Sequence, residues 1–87
     1  MEQKYFYIII ISETECSSKN VYIATSLKEA EEELMKFKDY YCEFGSGIIK
    51  TVNRYFKTLC YRTYRKGKLI KLSKWNNETR HWDDTKY

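Results

Sequence analysis

The feature that most constrains the fold is an apolar run near the start of the chain, residues 5–11, which ends in four consecutive isoleucines. Aromatic and β-branched residues favour strands, and a run without polar alternation indicates a strand buried on both faces, inside a sheet. We therefore predict an interior strand over residues 4–12. The run is too short to span a bilayer and no small-residue cleavage site follows it, so we expect a cytoplasmic chain.

A helix is predicted downstream of a polar loop at residues 12–20 and a short strand at 21–25. Ser26 and Glu29 have the spacing of a capping box, in which the Ser26 hydroxyl accepts from the Glu29 N–H and the Glu29 carboxylate accepts from the Ser26 N–H. Apolar residues then recur at intervals of three and four. The stripe comprises Leu27, Ala30, Leu34, Phe37 and Tyr41. This pattern predicts a helix over residues 27–42, ended by Gly45-Ser46-Gly47.

The second half of the chain predicts mainly strands. Residues 48–65 fit one face of a second helix, but their content of Ile, Val, Thr, Tyr and Phe favours strands at 48–53 and 58–65 with a turn at Asn53-Arg54. Lys66-Gly67 indicates a hairpin turn into a strand at 68–75, and Asn76-Asn77 a further turn. The tail, residues 78–87, either adds an edge strand through Trp82 or frays.

These elements give the order β-β-α-β-β-β. A chain of 87 residues has room for one domain and one core. We therefore expect a single α+β domain over residues 1–87. Its two layers are an antiparallel sheet and one amphipathic helix packed on it.

Charge is distributed unevenly along the chain. Residues 1–47 contain nine acidic and five basic side chains, whereas residues 48–87 contain three acidic and eleven basic ones. A two-residue Lys66-Gly67 loop would place Arg62 opposite Lys71 on an exposed face that also carries Tyr64. Like charges directly opposite each other destabilise a sheet, so this pair suggests a site for an anionic partner. The alternative is that the cations merely protect an edge strand from aggregation.

The predicted partner-binding set follows from this hairpin. It comprises Arg62, Tyr64, Arg65, Lys66, Lys68, Lys71, Lys74 and Trp75. A secondary, acidic surface is predicted on the helix, at Glu29, Glu31, Glu32 and Glu33.

Motifs that would indicate catalysis or a cofactor are missing from the sequence. There is one histidine, His81, and neither a phosphate-binding glycine loop nor a nucleophile elbow. Cys16, Cys42 and Cys60 are odd in number and widely spaced, which favours three free thiols over a zinc site or a disulfide framework. We expect no enzymatic activity, no metal and no cofactor.

The function expected from these features is stoichiometric binding to a protein partner. Small, lysine- and tyrosine-rich α+β chains are common among phage and mobile-element accessory proteins. Many of these inhibit a host defence or nucleic-acid-handling enzyme, as anti-CRISPR proteins do. The likeness is one of size and style, without a shared motif. Two alternatives are a single-stranded nucleic-acid-binding module with a basic, aromatic sheet face and a homodimeric regulatory subunit.

Overall fold

A computed structural model describes residues 4–14, 17–36, 47–65 and 67–87, and the side chains of these residues apart from those in 12–21. The elements are β1 (Tyr5–Thr14), β2 (Ser17–Ala24), α1 (Leu27–Met35), β3 (Gly47–Asn53), β4 (Thr58–Arg65), β5 (Lys68–Asn76) and β6 (His81–Lys86). The predicted small α+β fold is confirmed. The tail contributes the sixth strand, β6, which was one of the two outcomes considered for it.

All six strands form one antiparallel sheet in the order β2-β1-β3-β4-β5-β6. The isoleucine-rich β1 pairs on both sides, as its apolar run predicts. The loop predicted over residues 12–20 is wrong for most of its length, because Ser12 pairs with Ser18 and Thr14 with Ser17. Backbone pairing between these strands does not require apolar side chains, so polarity alone was a poor guide here.

Helix α1 starts as predicted and ends earlier. Ser26 is the N-cap, and its hydroxyl accepts from the Glu29 N–H at 3.1 Å. The helix ends at Met35, earlier than the predicted end at residue 42. Directly after Met35, the Lys36 N–H donates to the Glu33 carbonyl three residues back. Such bonds tighten the last turn of a helix. Phe37, Tyr41 and the Gly45-Ser46 pair lie outside the described residues.

The core lies between α1 and the sheet. The helix packs on β1, β2 and β3, and Ala30 and Leu34 are its buried residues. The buried cluster comprises Ile9, Ile11, Ala24, Ala30, Leu34, Ile49 and Tyr64. Tyr64, predicted to be exposed, is only 6% exposed and belongs to this core.

The β4–β5 hairpin departs from the register assumed from the sequence. Arg65 pairs with Lys68 and Tyr64 with Leu69, as predicted. An irregularity then shifts the pairing by one residue on β5, so that Arg62 lies opposite Leu72. A bulge of this kind adds one residue to one strand and reverses the side to which later side chains point. The predicted Arg62–Lys71 pair is therefore wrong.

The predicted turns at Asn53 and Asn76 are confirmed. The Asn53 side-chain oxygen accepts from the N–H groups of Tyr55 and Lys57, and the Asn76 side-chain oxygen accepts from those of Glu78 and Thr79. Asparagine favours turns because its side chain bonds the backbone a few residues on. At the β4–β5 turn, Gly67 has φ of 76°, a conformation that favours glycine. No helix in the described part of the chain has the length and apolar character needed to cross a bilayer.

Candidate binding surfaces

One side of the sheet faces α1, and we call the opposite side the open face. Side chains alternate along a strand, and residues paired across antiparallel strands share a face. Because Ile9, Ile49 and Tyr64 face the helix, their neighbours in sequence lie on the open face. Its apolar half comprises Phe6, Ile8, Ile10, Ile23, Ile48 and the buried Val52. Its cationic half comprises Lys50, Tyr61, Arg65, Lys68, Lys71, Trp75, Trp82 and Lys86.

An aromatic cluster lies at the centre of the cationic half. The Tyr61 and Trp82 rings are 5.1 Å apart and tilted by 52°, and the Trp75 and Trp82 rings are 5.5 Å apart and meet edge-on at 64°. The Trp75 indole N–H donates to the Asn77 side-chain oxygen at 2.9 Å. Trp82 remains 39% exposed. The cluster therefore combines a fixed geometry with apolar surface available for contact.

The charge of the cationic half is only partly neutralised. Strand β6 brings Asp84 to 3.5 Å from the Lys71 ammonium. A hydrogen bond from Ser73, followed by the charge of Lys71, lowers the pKa of Asp84. An acid that is distant from the hairpin in sequence therefore lies beside Lys71 in the fold. The other cations of this half form no ion pair with a described residue; they are Lys50, Arg65, Lys68 and Lys86.

The helix-facing side of the sheet carries a cleft of about 460 Å³ that the helix leaves open. Its floor is a row of paired residues across four strands, Tyr7, Thr51, Cys60 and Lys74. Arg62 lies in the next row, and its guanidinium donates to the Thr51 hydroxyl at 3.2 Å. Tyr5 and Leu59 complete the lining, together with Trp75, whose ring packs against Trp82 in the aromatic cluster. We call this cleft the trough.

The predicted partner-binding set is thus divided between the two sides of the sheet. Arg62, Tyr64 and Lys74 are on the helix-facing side, whereas Arg65, Lys68, Lys71 and Trp75 are on the open face. Lys66 lies outside the described residues. The predicted partner-binding set also omits several residues of the open face. These are Phe6, Ile8, Lys50, Tyr61, Trp82 and Lys86.

The acidic surface predicted on α1 is smaller than expected, because two of its four glutamates have local partners. Glu29 accepts from the Tyr22 hydroxyl at 2.8 Å and from the Thr25 N–H and hydroxyl, both at 3.2 Å. The predicted bond from Glu29 to the Ser26 N–H is replaced by the bond to Thr25, one residue earlier. The bond from Tyr22 is the main cause of a lowered pKa at Glu29, and it raises the pKa of Tyr22.

The remaining helix glutamates differ in their surroundings. Glu33 pairs with Lys36 at 2.7 Å. Glu31 and Glu32 are exposed beside a shallow groove that also contacts Leu27 and Met35. They are the part of the predicted acidic surface that is not engaged by another described residue.

Thiols and possible metal ligands are sparse in the described residues. Cys60 is a buried free thiol, whereas Cys16 and Cys42 lie outside the described part of the chain. His81 is exposed on β6. Among the residues that the structure describes, no three His, Cys, Asp or Glu side chains are grouped so as to hold a metal ion.

The chain matches no model of a known protein family, no curated protein and no solved structure. The choice of the surface that binds a partner therefore rests on geometry and charge.

Proposed function

We propose that this chain is a non-catalytic binding protein that docks through the open face on an acidic surface of a protein partner. One observation carries the proposal. In the described part of the chain, no helix packs on the open face, although one half of it is apolar and the other half is aromatic and cationic.

The apolar half supports a protein partner. Ile23 is 60% exposed, and Phe6, Ile8, Ile10 and Ile48 are only partly buried. Contiguous apolar surface bordered by charge is typical of interaction sites. A protein surface can cover isoleucines and pair with cations at the same time, which a phosphate backbone cannot.

The aromatic cluster supports the same choice. Tyrosine, tryptophan and arginine are enriched among residues that dominate interface energies. Platforms for single-stranded nucleic acids offer ring faces on which bases stack. Here Trp82 has its neighbours Tyr61 and Trp75 tilted or edge-on against it, so the rings are better placed as packed anchors than as successive stacking faces.

The finer proposal is that the partner is a nucleic-acid-handling or defence enzyme that the chain inhibits by occupying an acidic groove. Enzymes that cut or copy nucleic acids hold Mg²⁺ with carboxylates, so their active sites offer clustered negative charge. Lys50, Arg65, Lys68 and Lys86, which no described acid pairs with, complement such a groove. Complementary charge of this kind speeds association and selects the partner.

The test is capture of partners from the native host lysate after nuclease treatment, with the tagged full chain. The open-face variant is Lys68→Glu with Lys71→Glu. The matched control is Lys28→Glu with Lys57→Glu, which makes the same charge change at exposed positions on the helix and in the β3–β4 turn. We expect a protein captured in a fixed molar ratio by the wild type and the control and lost with the open-face variant.

Three results would contradict this assignment. If capture disappears on nuclease treatment, and a fluorescent oligothymidine binds directly with a steep salt dependence, the open face is a nucleic-acid platform. If the chain is dimeric and the open-face variant is monomeric, the partner is a second copy of the chain. If the control loses the captured protein as completely as the open-face variant does, the open face is not the docking surface.

A further inference from the structure

The trough owes its shape to residue size along one row of the sheet. Thr51 and Cys60 are small and lie at the centre of the row, between the larger side chains of Tyr7 and Lys74. Because α1 packs on β1, β2 and β3, it does not fill this part of the sheet. The result is a depression with two small residues as its floor.

Two cations converge on this depression without an acidic partner among the described residues. The Arg62 guanidinium is partly buried, and within the described part of the chain it donates to the neutral Thr51 hydroxyl, whereas a guanidinium has five N–H donors. Lys74 lies diagonally across from Arg62 on the neighbouring strand. Asp83 pairs with Lys74 in the β5–β6 register, but its carboxylate accepts from Asn76 at 3.0 Å and forms no ion pair with Lys74.

A partly buried cation with no nearby anion destabilises the fold, because it loses its hydration and no ion pair replaces it. Arginine offers a planar fork that matches phosphate and carboxylate oxygens two at a time. A phosphate monoester carries about −1.5 to −2 charges at neutral pH, which matches one arginine and one lysine together. A carboxylate would match only one of them.

We propose that the trough binds a phosphate monoester with an aromatic body, the chemical class of the 5′-nucleotides, with the phosphate between Arg62 and Lys74. The body lies along Tyr7 and Leu59, which line the rest of the cleft. The volume of about 460 Å³ is within the range of small-molecule sites. This site is on the opposite side of the sheet from the open face and does not depend on the function proposed for that face.

Calorimetric titration of the full chain tests the site with four probes: adenosine monophosphate, phenyl phosphate, adenosine and inorganic phosphate. We expect both esters to bind. Adenosine, which lacks the phosphate, and inorganic phosphate, which lacks the aromatic body, should each bind at least about tenfold more weakly. Binding of phenyl phosphate equal to that of the nucleotide would mean that the body is read as an aromatic ring only. Binding of the nucleotide alone would mean that the base and sugar are also recognised. Either result is consistent with a site for phosphate monoesters that carry an aromatic body.

Variants locate the phosphate. Arg62→Gln and Lys74→Gln should each weaken ester binding by about tenfold, since each removes one charge-assisted contact. The control Lys68→Gln removes a cation from the hairpin end on the open face and should leave the affinity unchanged. If all three variants bind the esters with equal affinity, the proposed phosphate site is wrong.

A measurement on the unaltered chain covers the case in which a variant does not fold. Cys60 lies on the trough floor, so a bound ester should slow its alkylation by iodoacetamide, followed at the Cys60 peptide by mass spectrometry. Adenosine at the same concentration should not. Absence of protection together with absence of heat for both esters at about 10 mM, a concentration far above the range of specific ligand affinities, would refute the proposal.

Discussion

Glu29 stabilises the start of α1 through three residues that precede it in the chain. Its carboxylate accepts from Tyr22 and twice from Thr25, while its own N–H is held by the N-cap residue Ser26. Acidic side chains near a helix N-terminus also interact favourably with the helix dipole. The side chain predicted to belong to a binding surface thus has a structural role.

The pH dependence of stability should reveal this role. The pKa of Glu29 is lowered in the folded chain, so its contribution is complete above the ordinary glutamate pKa of about 4.3 and is lost as the pH falls through the lower folded value. Glu29→Gln should therefore lower the thermal midpoint at pH 7 and have progressively less effect below about pH 4. The control Glu32→Gln, an exposed position without a described partner, should change the midpoint little at either pH. An equal effect of Glu29→Gln at pH 7 and pH 3 would disprove the role.

Leu34 is the central contact between α1 and the sheet. It is 1% exposed and packs in the buried cluster with Ile9, Ile11 and Ile49. We expect Leu34→Ala to lower the free energy of unfolding by about 2–5 kcal/mol, through lost burial and the cavity left behind. Urea denaturation measures this change. Met35→Ala, at a half-exposed position on the same helix, should cost clearly less; the reverse order would place Leu34 outside the core.

At the level of single residues, the sequence predicted burial well where periodicity is clear and poorly near the bulge. The helical spacing identified Ala30 and Leu34, whose side chains are buried as expected. Tyr64 and Arg62 were assigned to an exposed face because the hairpin was assumed to be regular. The extra residue on β5 places Leu72, and not Lys71, opposite Arg62, and the local composition does not predict this shift.

At the level of elements, Trp82 provides the two aromatic contacts between β6 and the rest of the sheet. All six residues of β6 are exposed, yet the Trp82 ring meets both Tyr61 and Trp75. Aromatic pairs of this geometry contribute beyond the area that they bury. The sequence left the tail undecided between a strand and a frayed end, because a single tryptophan in a polar segment indicates neither.

Replacing Trp82 should therefore loosen β6 specifically. We expect Trp82→Ala to lower the free energy of unfolding by about 1–2 kcal/mol. Amide exchange in residues 81–86 should rise more than in β1, as expected for local opening at a sheet edge. Thr85→Ala, on the same strand but directed to the other side, is the control. Unchanged exchange in residues 81–86 of the Trp82 variant would mean that backbone pairing alone holds the strand.

The strand and helix assignments show which local signals are reliable. The Ser26 cap fixed the helix start, and the asparagine turns fixed the ends of β3 and β5. The helix end and the polar β1–β2 hairpin were missed. Both features depend on backbone hydrogen bonds, which form whether or not the side chains are apolar. Hydrophobic periodicity therefore does not predict them.

For the whole molecule, the separation of cations between the two sides of the sheet is the main consequence of the fold. The sequence shows one basic stretch from Lys50 to Lys74, and this stretch suggested a single surface. The fold instead directs Arg62 and Lys74 into the trough and directs Lys68 and Lys71 to the open face. The sequence thus predicted the cationic character of the sheet, but only the strand register assigns each cation to a side.

This separation predicts that charge reversals on the two sides act independently. Lys71→Glu should weaken binding of the protein partner at the open face, because it replaces a cation by a negative charge beside Asp84. It should leave phosphate-ester binding in the trough unchanged. Arg62→Glu should abolish ester binding and leave partner capture intact, because its side chain points to the side that faces the helix. Circular dichroism of both variants serves as the control for folding.

The double variant distinguishes two sites from one. If the sites are independent, the free-energy changes of Arg62→Glu and Lys71→Glu add for each ligand, as they do for distant positions without shared partners. Ester affinity is measured by calorimetry and partner affinity by surface binding of the captured protein. If instead each single variant impairs both ligands, the cations act as one electrostatic patch through the sheet. The surface predicted from the basic stretch would then describe the molecule better than the division into two sides.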